Sequence, residues 1–211
     1  VVNYYEEFAA AFLRGSQPEC PNHLEAEQLV EWGLAQGIRL QRYKRSRRLP
    51  RVSRVLGMLQ ALQPQRLLDL GTGRGVFLWP LLEDFPDLEV VCVDSLDYRV
   101  ADLQALQRGG LTRVCAQQAD IYTLPFQDQE FDTVTMLEVL EHIPDTQRAL
   151  REVARVCAST LILSVPSHPD DNPEHLHLFT PNAIKDSLAL AGFSRVKLEG
   201  VLNHFVVLAQ R

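Results

Sequence analysis

Four carboxylates stand where short apolar runs end: Asp69 after Leu67-Leu68, Asp94 after Leu88 to Val93, Asp120 after Val114 to Gln118, and Glu138 after Phe131 to Leu137. Such runs read as parallel strands, and the carboxyl ends of parallel strands are where open α/β sheets bind ligands. Between the first two acids lies Gly71-Thr72-Gly73-Arg74-Gly75. Glycines at every second position predict a sharp strand-to-helix turn whose backbone can approach a ligand closely, with unpaired amides at the start of the next helix. A dinucleotide fingerprint would place its third small residue at Val76, three after Gly73, whereas here it falls at Gly75. Asp69, two residues before the first glycine, would repel a pyrophosphate but suits a group carrying an ammonium or sulfonium charge.

A second set of residues could move protons. Glu138, Glu141 and His142 follow the fourth apolar run, and His175 and His177 lie in Pro173-Glu174-His175-Leu176-His177-Leu178-Phe179 after the fifth. Imidazole is the side chain whose ordinary pKa lies nearest neutrality, so His142, His175 and His177 are the candidate catalytic residues. If the turn after Leu137 is helical, Glu138, Glu141 and His142 share one face. Two carboxylates and one or two imidazoles there could also hold a divalent cation, although no metal is assigned from the sequence. His168, between Ser167 and Pro169, reads as loop surface.

The elements that must position these groups alternate. Strands are predicted at Arg66, Leu88–Val93, Val114–Gln118, Phe131–Leu137 and Thr160–Val165. Helices are predicted at Val52–Leu62, Val76–Asp84 (with Pro80 as a source of a kink), Tyr98–Gln107, Thr146–Val156 and Pro181–Ala191. That spacing implies a parallel sheet with helices on both faces. The last two runs, Ser194–Leu198 and His204–Ala209, are too close for a helical crossover and pair antiparallel. Upstream, Asn3–Leu13 and a segment from His23 to about Gly37 read as amphipathic helices with Tyr4, Tyr5, Phe8, Phe12 and Trp32 among their apolar positions. The division is residues 1–50 as a helical lid and 51–211 as the catalytic domain.

Over residues 67–211 the set of motifs resembles the class I S-adenosylmethionine-dependent methyltransferases. Asp69-x-Gly71-x-Gly73-x-Gly75 is similar to that family's first motif and Asp94 to the acid of its second. Ala119-Asp120-Ile121 with Leu124-Pro125-Phe126 is similar to its adenine loop, and Phe131–Val134 through Glu138-Val139-Leu140-Glu141-His142-Ile143 to its fourth motif. One departure is Cys157-Ala158-Ser159, where many members place a glycine-containing turn. The resemblance implies a Rossmann-like sheet of seven strands, mostly parallel, with an antiparallel seventh. It also implies S-adenosylmethionine as cofactor. Asp94 and Ser95 then belong to the ribose, Asp120 and Ile121 to the adenine edge, and Asp69, Gly71, Thr72, Gly73 and Gly75 to the amino-acid half, with Glu138 helping to position it. The expected function is methyl transfer to oxygen or nitrogen of a small-molecule acceptor. The alternatives are an RNA methyltransferase, including metal-assisted 2′-O transfer, and a cofactor-binding protein without catalysis.

Charge bears on those alternatives. Residues 1–38 carry six acidic side chains and one basic, residues 39–66 nine basic and none acidic, and residues 67–211 twenty-one acidic and eleven basic. A basic belt could meet phosphate or could pair with the protein's own acids. Tyr43 is its one aromatic, which provides poorly for base stacking. At 46% hydrophobic and 23% charged, the 211 residues have the composition of a globular protein. No apolar run approaches the roughly 20 residues of a membrane span, and the first residues lack a signal-peptide pattern, so a cytoplasmic location is expected. The scattered cysteines Cys20, Cys92, Cys115 and Cys157 are expected to be reduced thiols.

Overall fold

The computed structural model describes residues 3–211. Seven strands, β1 (Arg66–Leu70), β2 (Glu89–Asp94), β3 (Val114–Gln118), β4 (Phe131–Leu137), β5 (Cys157–Pro166), β6 (Arg195–Val201) and β7 (His204–Gln210), form a sheet in the order β3-β2-β1-β4-β5-β7-β6. β7 runs antiparallel to both neighbours, and the β1–β4, β2–β3 and β4–β5 pairs are parallel. The helices are α1 (Glu6–Ser16), α2 (Ala26–Ala35), α3 (Pro50–Leu62), α4 (Leu78–Asp84), α5 (Asp97–Arg108), α6 (Thr146–Val156) and α7 (Pro181–Leu190). The expected seven-stranded, mostly parallel sheet with an antiparallel seventh strand is therefore present. No helix among the described residues is long and apolar enough to cross a membrane.

Several element boundaries depart from expectation for identifiable reasons. α4 starts at Leu78 rather than Val76, so Pro80 falls in its first turn, where an amide has no intrahelical acceptor and a proline causes no kink. α3 begins at Pro50, at the first helical position, which the fixed proline φ favours. α1 runs through Arg14-Gly15-Ser16, beyond the expected end at Leu13.

The chain gathers into two compact units, one joining the residues up to Arg48 with Thr72–Gln118, the other Leu49–Gly71 with Ala119–Arg211. In the first, α1 packs on α5 at close range. A Cβ at Gly15 would overlap the Ala105 carbonyl, and one at Gly109 the Ala11 carbonyl. Beside this contact Phe8 and Tyr43 lie against Trp79 with ring centroids 5.9 and 5.0 Å away, and Phe12 lies 5.5 Å from Tyr43. Tyr43 is fully buried, which removes it from any surface for bases. Arg42 pairs with Asp102, Arg45 with Glu83, and Arg48 with Asp84 at 2.6 Å.

The second unit has its core on the central strands. Leu67, Leu68, Val134, Leu161, Ile162, Leu163, Val206 and Val207 are all fully buried, as expected of strands covered on both faces. α6 is capped by Asp145, whose side chain accepts from the Arg148 amide at 3.0 Å. α7 is capped by Thr180 through the Ala183 amide at 3.2 Å. Here too the basic belt is neutralised, Arg54 pairing with Glu199 at 2.6 Å and Arg66 with Glu130 at 3.0 Å. None of the four cysteines forms a disulfide among the described residues, and Cys92 and Cys157 are buried.

Candidate cofactor and proton-transfer site

Within the first unit the glycine turn is tied to the acid that ends β2. Gly73, at φ +60°, donates its amide to Asp94 Oδ2 at 3.0 Å. Leu96 N donates to Oδ1 at 3.0 Å, and Arg99 Nη1 stands 3.4 Å from Oδ2. Asp94 is only 4% exposed. An ionised carboxylate offers about four lone-pair sites, so this one braces the turn and keeps capacity for a ligand hydroxyl. Gly75, at φ +79°, accepts from Trp79 N at 3.0 Å and donates to Thr72 O at 3.1 Å. A Cβ there would run into the Trp79 indole, so both conformation and space demand glycine. Ser95 is exposed, and its carbonyl accepts from Gln118 Nε2 at 2.9 Å.

In the second unit, Asp69 is 3% exposed and accepts from Thr135 Oγ1 at 2.7 Å. Thr135 is its register partner on β4, which aims the carboxylate. Gly71 adopts φ +70°, and a Cβ would overlap Val139 Cγ2, so the backbone after β1 lies flush on the segment after β4. Asp120 caps its own loop, Oδ1 accepting from Tyr122 N at 2.9 Å, with Ile121 half-buried beside it. That loop is held from α6. Arg155 donates to the carbonyls of Leu124 and Phe126 at 2.9 and 2.7 Å, and to Glu152 at 2.7 Å. Hydrogen bonding from Arg155 keeps the Glu152 carboxyl below its ordinary range.

The residues after β4 do not form one face. Glu138 has a left-handed backbone, φ +57°, and only Leu140–His142 form a 3-10 turn. The left-handed residue turns Glu138 away from Glu141 and toward β5 and β7. Its Oε1 accepts from Ser164 Oγ at 2.6 Å, its Oε2 lies 3.0 Å from His204 Nε2, and Arg51 Nε is 3.7 Å from Oε1. Burial holds the His204 imidazole below its ordinary range, against the pull of the Glu138 carboxylate and with the help of the Arg51 charge.

Glu141, His142 and His175 are brought together. One oxygen of the first and a ring nitrogen of each of the others lie within 4.8 Å of one another, and the two rings meet edge to face with centroids 4.8 Å apart. Glu141 is 0% exposed, and neither carboxylate oxygen has a hydrogen-bond partner. Burial, with Glu138 adding to it, pushes its pKa up to about 8. The segment bearing His175 is fastened beneath by Leu176 N and His177 N, which donate to the Glu141 carbonyl at 2.8 and 3.2 Å. His177 itself is engaged elsewhere, its Nε2 3.0 Å from the Ile143 carbonyl and its ring 5.7 Å from Phe179.

Sequence reasoning missed Thr135, Ser164, His204 and Arg51. The first two lie on strands directly beside the acids they serve, so strand adjacency was the available signal. His204 carried no local mark, because only the β5–β7 pairing places it.

The "Methyltransferase domain" family matches residues 68–163. The demethylmenaquinone methyltransferase of Roseiflexus sp. (strain RS-1) is 38% identical over 114 residues, covering 49% of this chain and 45% of that protein. The 27-O-demethylrifamycin SV methyltransferase of Amycolatopsis mediterranei (strain S699) is 35% identical over 107 residues, covering 49% of this chain and 38% of that protein. The chain thus spans less than half the length of either relative. Among solved structures, a SAM dependent methyltransferase from Aquifex aeolicus superposes with a TM-score of 0.59 at 22% identity, covering 69% of this chain and 81% of that one. Residues 68–163 match the methyltransferase domain family, and the glycine turn, the acids after β1, β2 and β4 and the strand order are similar to those of the class I S-adenosylmethionine-dependent methyltransferases.

Proposed function

We propose that the protein transfers a methyl group from S-adenosylmethionine to an oxygen or nitrogen of a small-molecule acceptor. The observation that carries this reading is the bond between Asp94 and the Gly73 amide, which locks an acid that can meet a ribose diol onto a turn that can admit the rest of a nucleoside. The residues present fit the group. Asp69 and Asp94 are buried acids suited to an ammonium and to paired hydroxyls, and the positions at Gly71 and Gly75 leave no room for side chains. Thr72, Ser95, Asp120, Ile121 and Glu138 are assigned to cofactor binding from their places in the chain.

When bound, the cofactor supplies an electrophilic methyl on a sulfonium. The protein's part is to hold the acceptor in line with it, exclude water and receive the proton that the acceptor loses. That proton falls to the histidine group after β4 and β5, with His142 and His175 beside Glu141 and with His177 behind them. Residues 51–211 are the catalytic body in this reading, and 1–50 its helical cover. The reading is supported over RNA methylation by the pairing of Arg42, Arg45, Arg48, Arg51, Arg54 and Arg66 with acidic side chains of the same chain.

Calorimetry with S-adenosylhomocysteine and NAD tests the cofactor. Asp94→Ala should weaken S-adenosylhomocysteine binding by about 1–3 kcal/mol, and binding of NAD alone would overturn the proposal. Transfer of labelled methyl to a panel of small hydroxyl and amine acceptors separates the enzyme from a non-catalytic binder.

A further inference from the structure

We propose that Glu141, His142 and His175 bind one divalent transition-metal ion. The argument starts from the nitrogens that are already engaged. His142 Nδ1 lies 2.9 Å from the Glu174 carbonyl and His175 Nδ1 lies 2.8 Å from Asp170 Oδ1. Both partners can only accept, so each ring donates through Nδ1, and in the neutral imidazole Nε2 is then the nitrogen available to a metal. Next to those rings is a carboxylate with no exposure and no donor from any other described residue on either oxygen.

One ligand atom from each of the three side chains lies within 4.8 Å of the other two. A self-satisfied polar network would show a ring N–H aimed at Glu141, and none is present among the described residues. A single proton on Glu141, favoured by its burial, could serve one Nε2 and leave the other lone pair facing it. A metal ion satisfies all three groups together.

The surroundings have the form that metal sites require. Histidine ligands ordinarily donate their second nitrogen to a carbonyl or carboxylate, which fixes tautomer and ring orientation. Glu174 and Asp170 do this for the two rings. Two imidazoles and one carboxylate suit a borderline ion such as Zn²⁺ or Co²⁺ better than Mg²⁺ or Ca²⁺, which prefer all-oxygen shells. Ligands about 2.0 Å from a tetrahedral ion stand roughly 3.3 Å apart, so the present 4.8 Å limit closes with modest side-chain rotation. The two rings are half-buried, which leaves an open side for an exchangeable ligand. Glu138 takes no part, being held by Ser164 and His204.

Binding of the ion stands apart from the methyltransferase reading. Its use rests on that reading: an acceptor hydroxyl bound at the open position would lose its proton to solvent at a lower pH, so with the ion bound His142 and His175 hold the metal instead of taking that proton themselves.

The test is metal uptake by the full chain, stripped with EDTA and dialysed against Zn²⁺ or Co²⁺. The expected result is about one ion per chain, with visible d–d bands for Co²⁺ that report nitrogen ligation. Glu141→Gln and His175→Ala should each abolish that stoichiometric uptake, and Asp170→Asn should weaken it roughly tenfold. His168→Ala, a loop histidine outside the cluster, should leave it unchanged. Circular dichroism in EDTA checks the fold; should Glu141→Gln fail to fold, the half-exposed His175 carries the comparison. No stoichiometric ion in the wild type, or uptake that survives both ligand variants, overturns the proposal. S-adenosylhomocysteine calorimetry on the same stripped protein separately reads the cofactor assignment, so the two failures are distinguishable.

Discussion

At the scale of single residues, what matters is which carboxylates have partners. Asp69, Asp94 and Glu138 each meet donors from neighbouring strands or turns, whereas Glu141 does not. A buried acid without a donor costs far more than one with two or three, so this contrast separates bracing groups from a group arranged for something else. His204 gives a prediction of its own. Its folded-state pKa lies below the ordinary value of 6.5 because of burial. As pH falls through about 6.5, the unfolded chain therefore takes up the proton first. Its contribution is present above that pH and is lost below it. His204→Gln should lose less stability than wild type between about pH 7 and pH 5 in urea titrations. A steeper loss in the variant would mean that a charged His204–Glu138 pair governs instead.

At the scale of elements, the loop carrying Asp120 and Ile121 depends on one helix. Arg155 of α6 meets two loop carbonyls, Glu152 and Asp128, and Glu152 returns to the Leu124 amide at 2.7 Å. Arg155→Met keeps the aliphatic stem but orphans the Leu124 and Phe126 carbonyls and leaves Glu152 without its cation. The expected cost is about 1–3 kcal/mol in thermal or chemical unfolding, and S-adenosylhomocysteine affinity should fall with it as the loop loosens. Stability unchanged within error would show that the α6 backbone alone holds the loop.

At the scale of the whole molecule, the distribution of charge and aromatic surface decides how the first residues are used. Six of the nine basic side chains between Arg39 and Arg66 pair with acids of the chain, which leaves little uncompensated charge to attract a polyanion. Tyr5, Phe8, Phe12 and Tyr43 gather around Trp79, whose indole presses on Gly75. Deleting residues 1–36 would strip α1 and α2 from this cluster. The expectation is a lower melting temperature and reduced methyl transfer. A truncated protein with an unchanged rate would rule out a functional cover.

Elements were legible because their signals are local. β3, β4 and α6 have the boundaries that the apolar patterning predicted, and the glycines at 71, 73 and 75 announced a turn made at positive φ. The acids at strand ends followed from the same periodicity, since a hydrophobic pattern specifies which residues are buried and where each run stops; the strand order did not. The polar constellations were not legible in that way. A single left-handed residue, Glu138, parts two acids three positions apart. The β5–β7 register carries His204 to one of them from 66 residues downstream. The return of the chain after β5 brings His175 edge to face with His142 beside the other. Contacts of that kind depend on distance and angle between side chains far apart in sequence, and only the packed tertiary structure sets those.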